Sequence, residues 1–478
     1  MKKHLVLCFC ILYSIHSFAT HLRGAEITFR VIGNYQIEAT LTTYSKYDGI
    51  SMLADRNSER IDWGDGTFDS VCRTNGPINA SGCHDGVIIA TNPVSIKKNT
   101  YISTHTYSGL SADGFYVISY FEQNRIDGIA NIDAGNSVNI PLYVEDTIFS
   151  ASFTANLPSN SSPVFLTPPI DYANLNESFI YNPVIFDADG DSVSVELIPP
   201  LQSQGVSVPQ YSYPAQYCQA NNYPNNSFQI NPQTAQIVWN TPCQMGIFII
   251  AVLVKEYRCG VPLSTVERDM QIIATNESDS PPTISFIRDT VIQPGDSISM
   301  SVTANDANVG QIVSLTAMGG AFLSTQRPPA FQSTSGNTAT GILTWQTDST
   351  SARQHAYIFS IVASDNYTIP EKSYQTFRVW VVDTSACLLT GISQIPNPLT
   401  AFSIYPNPAN NSVTLSVDQS MIGGTVTVSD ITGRKITAVQ LSMSNYQLSI
   451  KDFSNGVYFV TVTDKAGTST TKKLVVSK

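Results

Sequence analysis

Short apolar or alternating segments, separated by turn residues, set the strongest limit on how this 478-residue chain can fold. They are rich in Val, Ile, Thr, Tyr and Phe, and examples are YQIEATLTTY, FYVISYF, SVNIPLYV, SVSVELI, YIFSIVAS and FRVWVV. Long stretches with helical periodicity are missing. Because each such strand buries one face and needs an opposing sheet, the pattern predicts an all-β chain of tandem β-sandwiches.

Composition limits the partners of the chain. Charged residues make up 13% of it, below the roughly 25% of an average soluble domain, and the formal net charge is -11 at pH 7. An acidic surface this poor in Lys and Arg repels phosphate groups, so we expect no nucleic acid partner. Divalent cations suit such a chain better.

The N-terminus has the features of a secretory signal peptide. Two lysines precede an apolar run from Leu5 to Ile15, and Ser17-Phe18-Ala19 supplies the small residues that flank a cleavage site. We therefore expect residues 1–19 to be removed and the mature chain to lie outside the cytoplasm. No other stretch is apolar over the length of a transmembrane helix, so we expect no transmembrane segment.

Clusters of Pro, Ser and Asn divide the mature chain. We predict sandwich domains at 20–155, 156–276 and 277–385, a linker at 386–400 and a small C-terminal sandwich at 401–478. The second and third domains look like repeats, because in each a tryptophan, Trp239 or Trp345, lies late in a strand that precedes a long apolar strand. Both tryptophans are expected to be core anchors.

Export makes the cysteines informative, because disulfides persist in oxidising compartments. Six cysteines remain after the leader, and sequence alone cannot choose among their pairings. We expect Cys72 to pair with Cys83 within a Gly/Asn-rich loop, while the strand order of the second domain favours a Cys218–Cys243 bridge. The pairing of the two remaining cysteines, Cys259 and Cys387, is left open.

The segment DADGD is the strongest candidate for a metal site. Its carboxylates, at Asp187, Asp189 and Asp191, alternate along the chain, and its glycine lets the loop curl, so hard oxygen ligands can converge on Ca²⁺. The segment is not an EF-hand, which needs a glycine at position six and an acidic residue at position twelve. The alternative is a solvated turn, since Asp and Gly favour turns in any case.

Acidic residues also gather near the boundary between the second and third domains. Glu177, Asp279 and Asp306 are the candidates for calcium ligands there. The DxD spacing and the Asn and Asp residues before proline in TNESDSPP resemble cadherin-like and related Ig-like repeats. That resemblance implies a structural calcium site, in which Ca²⁺ stiffens a domain junction and has no catalytic role.

A Trp-Gly-Asp-Gly turn, Trp63 to Gly66, is the sharpest motif of the first domain. Its glycines allow positive φ and its aspartate can accept turn amides, which predicts a structural role. The turn and the later segment THTYSGLSADGFYVISY resemble the polycystic-kidney-disease (PKD) type of sandwich over roughly residues 20–148. HLRGAEITF, YQIEATLTTY and NSVNIPLYV also resemble the opening domain of gliding-associated surface proteins, which implies adhesion or spacing.

The C-terminal segment carries several motifs in order. Tyr405-Pro406-Asn407-Pro408 opens it, Asp430 and Gly433 mark a middle turn, Gly456-Val457-Tyr458 precedes a core strand and Lys472 to Val476 ends it. These motifs closely resemble the type A sorting domain of the type IX secretion system. The resemblance implies that the type IX machinery recognises residues 401–478 and exports the protein, which is then released or attached to the outer surface.

Catalytic signatures are missing from the sequence. There is no HExxH, GxSxG or GxxxxGK[ST] motif, so no catalytic residue is assigned and we predict that the chain is not an enzyme. We predict instead a secreted or cell-surface adhesin or spacer, stiffened by Ca²⁺, whose extracellular protein or glycan target the sequence does not name. The alternatives are a filament subunit, or a carbohydrate-binding accessory protein or carbohydrate-active enzyme that would use the tyrosine-rich loop 211–226.

Overall fold

The computed structural model describes residues 22–132, 136–154, 159–175, 177–382, 402–405, 407, 409–417, 422–430, 434–463, 465 and 469–477. The predicted signal peptide, the linker 386–400 and Cys387 lie outside these residues. The chain divides into two compact units, Met1–Thr384 and Ser385–Lys478.

The first domain is a sandwich of two half-sheets. One half has the strand order β4-β3-β7-β8 and the other β1-β2-β6-β5. Between them lies a core that includes Trp63, Ile27, Leu41 and Ile118. The strands are β1 Leu22–Gly33, β2 Gln36–Lys46, β3 Ser58–Asp62, β4 Phe68–Cys72, β5 Val87–Ala90, β6 Ile96–Thr106, β7 Phe115–Glu122 and β8 Leu142–Phe149.

The second domain is built around a long hairpin of β18 and β19. Trp239 is fully buried in its core and packs edge-to-face on Phe248, with the ring centroids 4.9 Å apart. Its elements are β9 Val164–Phe165, β10 Ile170–Asn174, β11 Phe179–Tyr181, β12 Ile185–Phe186, β13 Ser192–Ile198, β14 Leu201–Ser203, β15 Val206–Ser207, helix α1 Pro214–Ala220, β16 Phe228–Ile230, β17 Ile237–Trp239, β18 Gly246–Arg258 and β19 Val261–Thr275.

Strand β19 joins the first and second domains into one sheet. Along one edge it pairs with β18 over its whole length, and along the other edge it pairs in turn with β8, β1 and β10. Gly24 permits the approach of β1, because a Cβ at that position would lie 2.8 Å from the carbonyl oxygen of Asp269. Fourteen described strands thus share this sheet.

Buried ion pairs reinforce the contact between β19 and the first domain. The guanidinium of Arg268 donates to Glu26 on β1, and Arg125 Nη1 lies 2.7 Å from Asp269 Oδ2. All four side chains are buried. Removing one partner of a buried pair costs about 3–5 kcal/mol, because the other charge is left uncompensated.

The third domain is a sandwich of two four-stranded sheets. Their orders are β20-β22-β25-β24 and β21-β27-β26-β23. Strand β25 alternates strictly between exposed and buried residues, as one buried face requires, and Trp345 anchors the core. The elements are β20 Thr283–Ile284, β21 Thr290–Ile292, β22 Ser297–Asn305, β23 Ser314–Gly319, helix α2 Ala321–Ser324, β24 Ala330–Ser333, β25 Thr338–Gln346, β26 Tyr357–Ser364 and β27 Lys372–Val381.

The C-terminal unit is a small sandwich with its own core. A three-stranded sheet, β28-β29-β32, accompanies a four-stranded sheet, β31-β30-β33-β34. Phe402, Leu415, Val460 and Leu474 are among its fully buried residues. The strands are β28 Ser403–Tyr405, β29 Ser412–Ser416, β30 Thr425–Asp430, β31 Lys435–Gln440, β32 Asn445–Ser449, β33 Gly456–Thr463 and β34 Ser469–Val476.

The expectation of an all-β chain of sandwiches is confirmed. The division into sandwiches at 20–155 and 156–276 stays a prediction, and the structure adds that β19 pairs with strands of both segments. The hydrophobic pattern of β19 identifies a strand but not its partners, which lie more than one hundred residues away in sequence.

A fragment ending at residue 155 tests this dependence on β19. We expect residues 20–155 alone to be aggregated or poorly folded, because Glu26 and Arg125 lose their partners and the edges of β1 and β8 are exposed. Residues 20–400 should give dispersed amide resonances and a monomeric elution volume. A dispersed, monomeric spectrum from residues 20–155 would contradict the expectation.

Candidate functional site

Four carboxylates converge beside the DADGD loop. Asp187, Asp189, Asp191 and Glu256 each place one oxygen so that all four lie within 4.8 Å of one another. The loop connects β12 to β13, and Glu256 lies on the neighbouring strand β18, directly opposite Val193. The three residues predicted from sequence are therefore brought together, with a fourth that sequence analysis did not identify.

The loop is held in place by backbone amides. Gly190 adopts a φ of +84°, which lets the chain turn so that the Asp191 amide donates to Asp187 Oδ1 at 2.7 Å. The Ser161 amide donates to Asp189 Oδ2 at 2.6 Å. The loop is thus attached to the start of the second domain, close to where the first domain ends.

One guanidinium offsets part of the negative charge. Arg258 Nε lies 2.8 Å from Asp191 Oδ1 and its Nη2 lies 2.6 Å from Asp191 Oδ2, in a bidentate pair. Glu256 Oε2 accepts from Ser264 Oγ at 2.5 Å and from Asn160 Nδ2 at 3.0 Å. One paired guanidinium therefore faces four carboxyl groups, and the more distant charge of Arg353 also acts on Asp187.

Two oxygens of the cluster have no partner among the described residues. Asp187 Oδ2 and Glu256 Oε1 are buried and make no hydrogen bond. Burial raises the pKa of Glu256, and the charge of Asp187 raises it further; burial likewise raises the pKa of Asp187. Orphaned buried oxygens that crowd other carboxylates fit a hard cation such as Ca²⁺, which takes six to eight oxygen ligands.

A second acidic group lies at the junction between the second and third domains. Asp279 Oδ2 and Asp306 Oδ2 are buried without partners. Gln311 Nε2 donates to Asp279 Oδ1 at 2.6 Å, and Ser280 Oγ donates to Glu177 Oε1 at 3.1 Å. Asp279 and Asp306 are close enough for the charge of Asp306 to act on Asp279, whereas Glu177 reaches this region through Ser280.

Two further carboxyl groups belong to this junction. Burial raises the pKa of Asp365 to about 6, and the charges of Asp279 and Asp306 contribute. Burial and the neighbouring Asp365 raise the pKa of Glu371 to about 8. Sequence analysis missed both residues, although Asp365 directly follows the predicted strand YIFSIVAS; Glu371 directly precedes β27 of the structure.

An amide also joins the junction group. The Asn308 side chain, with its nitrogen turned toward the carboxylates, lies 3.0 Å from Asp306 Oδ1 and 3.2 Å from Asp279 Oδ1. This donor compensates some of the charge without a cation.

The Trp-Gly-Asp-Gly turn has a structural role. Asp65 Oδ1 accepts from the Thr67 amide at 3.0 Å, and Asp65 Oδ2 lies 2.7 Å from His105 Nε2. The imidazole of His105 stacks on buried Trp63, with ring centroids 4.8 Å apart. A Cβ at Gly64 would lie 2.4 Å from the carbonyl oxygen of Val117, so the turn packs tightly against β7.

Both expected disulfides are present. They join Cys72 to Cys83 and Cys218 to Cys243. The second one fastens helix α1 to the segment before β18.

Three tyrosines of the tyrosine-rich loop pack their rings inward, whereas Tyr223 is exposed. Tyr217 lies edge-on to Phe248, with centroids 5.4 Å apart, and Tyr213 donates to the carbonyl of Leu197 at 3.3 Å. Tyr211 contacts the Ile249 carbonyl at 3.4 Å. These rings therefore offer no flat platform for a sugar.

Comparison with known proteins identifies the C-terminal unit. Residues 403–477 match the family of secretion system C-terminal sorting domains. No curated protein matches the chain. No described helix has the length and apolarity needed to cross a membrane.

Solved structures resemble parts of the chain only distantly. Tandem Ig repeats of Dlar share 14% identity over 46% of this chain and 97% of that chain, with a TM-score of 0.21. Mouse cadherin-23 EC22-24 shares 15% identity over 67% and 99% of the two chains, with a TM-score of 0.16. The Bacteroides ovatus mixed-linkage glucan utilization locus SGBP-B, in complex with mixed-linkage heptasaccharide, shares 13% identity over 66% and 71%, also with a TM-score of 0.16.

The sorting-domain match and the all-β architecture agree with the sequence motifs. The chain carries β-sandwich domains ahead of a type IX sorting domain, and it is exported to the cell surface or the extracellular space.

Proposed function

We propose that the exported protein is a non-catalytic adhesin or spacer whose N-terminal domains are stiffened by Ca²⁺. The four-carboxylate cluster carries the proposal, because two of its buried oxygens have no partner among the described residues. The domain assignments, PKD-like for 20–155 and cadherin-like or Ig-like for 156–276 and 277–385, belong to the same proposal.

Calcium at this cluster would restrain three parts of the chain at once. The DADGD loop, strand β18 and residues 160–161 all reach the cluster, through Asp189, Glu256 and Asn160. Without a cation the carboxylates repel one another, and a bound cation would replace that repulsion by a common attraction. The ligands would be Asp187, Asp189, Asp191 and Glu256.

The junction group is a second, weaker candidate for Ca²⁺. Its ligands would come from Asp279, Asp306, Asp365 and Glu371, with Glu177 at its margin. Because these side chains come from both the linker and the third domain, a cation there would limit motion between the second and third domains.

Calcium should raise the thermal stability of the protein. At free Ca²⁺ a hundredfold above Kd, binding stabilises the folded state by about 2.7 kcal/mol, which corresponds to several degrees in Tm. Glu256→Gln should lose most of the shift, because it removes a ligand but keeps the shape of the side chain. Calorimetric scans with CaCl₂ and with EDTA measure both effects.

Glu196→Gln is the matched control for the calcium experiment. Glu196 lies on β13, is 51% exposed and pairs with Lys255, outside the acidic cluster, so removing its charge should leave the calcium-induced shift intact. Equal Tm values in CaCl₂ and EDTA for the unaltered protein would refute the calcium site. Equal shifts in both variants would refute the assignment of Glu256.

Deletion of residues 401–478 tests the route of export. In a host with a working type IX system, we expect the shortened protein to remain inside the outer membrane, as measured by immunoblots of cell fractions and medium. The signal peptide and residues 401–478 fused to a folded reporter should bring that reporter out. Export of the shortened protein would contradict the assignment.

A further inference from the structure

A cavity of about 310 Å³ lies between the DADGD loop and the third domain. Its walls include Asp187 and Asp191 on one side and Arg353, His355 and Arg378 on the other. The volume lies at the lower end of the range for small-ligand pockets. One end of the pocket is therefore acidic and the opposite end carries cationic and imidazole groups.

Arg353 is the unusual member of the cationic end. Its Nε donates to the carbonyl of His355 at 3.0 Å, and its guanidinium lies 4.5 Å above the ring of Tyr357. Among the described carboxylates none forms an ion pair with it, whereas neighbouring Arg378 is paired with Asp289 at 2.7 Å. A partly buried arginine without a carboxylate partner is suited to binding an anion from outside.

The other wall residues favour a ligand that also carries hydroxyl groups. Burial and the Arg353 guanidinium lower the pKa of His355, so its imidazole is neutral at pH 7 and can both donate and accept. Asp191 and Ser192 lie at the acidic end, where they can accept from hydroxyls. A carboxylate placed at that end would be repelled, so the charged group of the ligand belongs beside Arg353.

Aromatic side chains complete the walls of the pocket. Trp380 lines it, with the Arg378 guanidinium 4.8 Å from its ring, and Tyr357 lines it beneath Arg353. Aromatic rings of this kind give a sugar ring an apolar surface to pack on. The pocket thus combines a guanidinium that forms no ion pair with a described carboxylate, several hydroxyl-binding groups and apolar walls.

We propose that this pocket binds an acidic saccharide, with the carboxylate of a uronic acid residue on Arg353 and its hydroxyls toward Asp191 and Ser192. The pocket shares Asp187 and Asp191 with the proposed calcium cluster, but the charged contact of the ligand, on Arg353, needs no bound cation. It gives the exported chain a recognition site for a polysaccharide that carries carboxylates.

Tryptophan fluorescence gives a readout for this pocket. Trp63, Trp239 and Trp345 are buried in three cores, whereas Trp380 is partly exposed in the pocket. Titration of the mature full-length chain with trigalacturonate should give a saturable change in emission that Trp380→Phe abolishes. Calorimetry on the same samples should show binding by Trp380→Phe as well. Both titrations are run in CaCl₂ and in EDTA, and binding in either buffer supports the proposal.

Arg353→Gln should weaken binding at least tenfold, because the bidentate pair with the carboxylate is lost. Arg327→Gln is the control, since Arg327 is 64% exposed in the same domain and does not line the pocket. Should Arg353→Gln fail to fold, Arg353→Lys serves instead: it keeps the charge but cannot form the paired contact, and it should bind severalfold more weakly.

Three other ligands test whether the sugar, its carboxylate or any carboxylate accounts for binding. The fully methyl-esterified trimer, which keeps the sugar and loses the charge, should bind at least tenfold more weakly, and sodium acetate should compete only at high concentration. Equal binding of the ester, tighter binding of triglutamate than of trigalacturonate, or no binding in either buffer would overturn the proposal. An equal loss in Arg327→Gln and Arg353→Gln would also overturn it.

Discussion

Strand β19 is the element on which the N-terminal unit depends. Its centre carries three consecutive ionisable residues, Glu267, Arg268 and Asp269, all fully buried, and burial raises the pKa of Glu267 well above its usual value, which favours its neutral form. A strand that buries such charges is stable only where partners meet them, and Glu26 and Arg125 of the first domain do so for Arg268 and Asp269. Charge complementarity, in addition to the hydrophobic pattern, therefore fixes where the first domain meets the second.

The same hairpin places the acidic cluster. Ser264 on β19 donates to Glu256 on β18, and Asn160 donates to the same carboxylate from the segment that follows the first domain. The residues that close the first sandwich thus also orient a candidate metal ligand. A cation bound at this cluster would act directly on the contact between the two domains, because the cluster and that contact share β18 and β19.

Patterns among residues that are close in sequence predicted much of the strand structure, the core and the metal-site loop. The alternation of β25, the two buried tryptophans and the curled DADGD loop depend on residues that are neighbours in the chain. Glu256 could not be identified in this way, since it occurs in an apolar strand and becomes part of the cluster only through the pairing of β13 with β18. The missed sharing of β19 has the same cause, because strand pairing over long separations is not encoded in periodicity.

The two acidic groups differ in how their charge is compensated. At the junction, the amides of Gln311 and Asn308 donate to Asp279 and Asp306, so neutral donors already satisfy part of the group. At the DADGD loop the main compensation is a single guanidinium, bound to Asp191, while Asp187 and Glu256 each keep a buried oxygen without a partner. Both groups keep buried oxygens without partners, but among the described residues only the DADGD cluster brings four carboxylate oxygens within 4.8 Å of one another, as a bound cation requires. The DADGD cluster should therefore fill first as Ca²⁺ rises, so that the contact between the first two domains stiffens before the junction with the third.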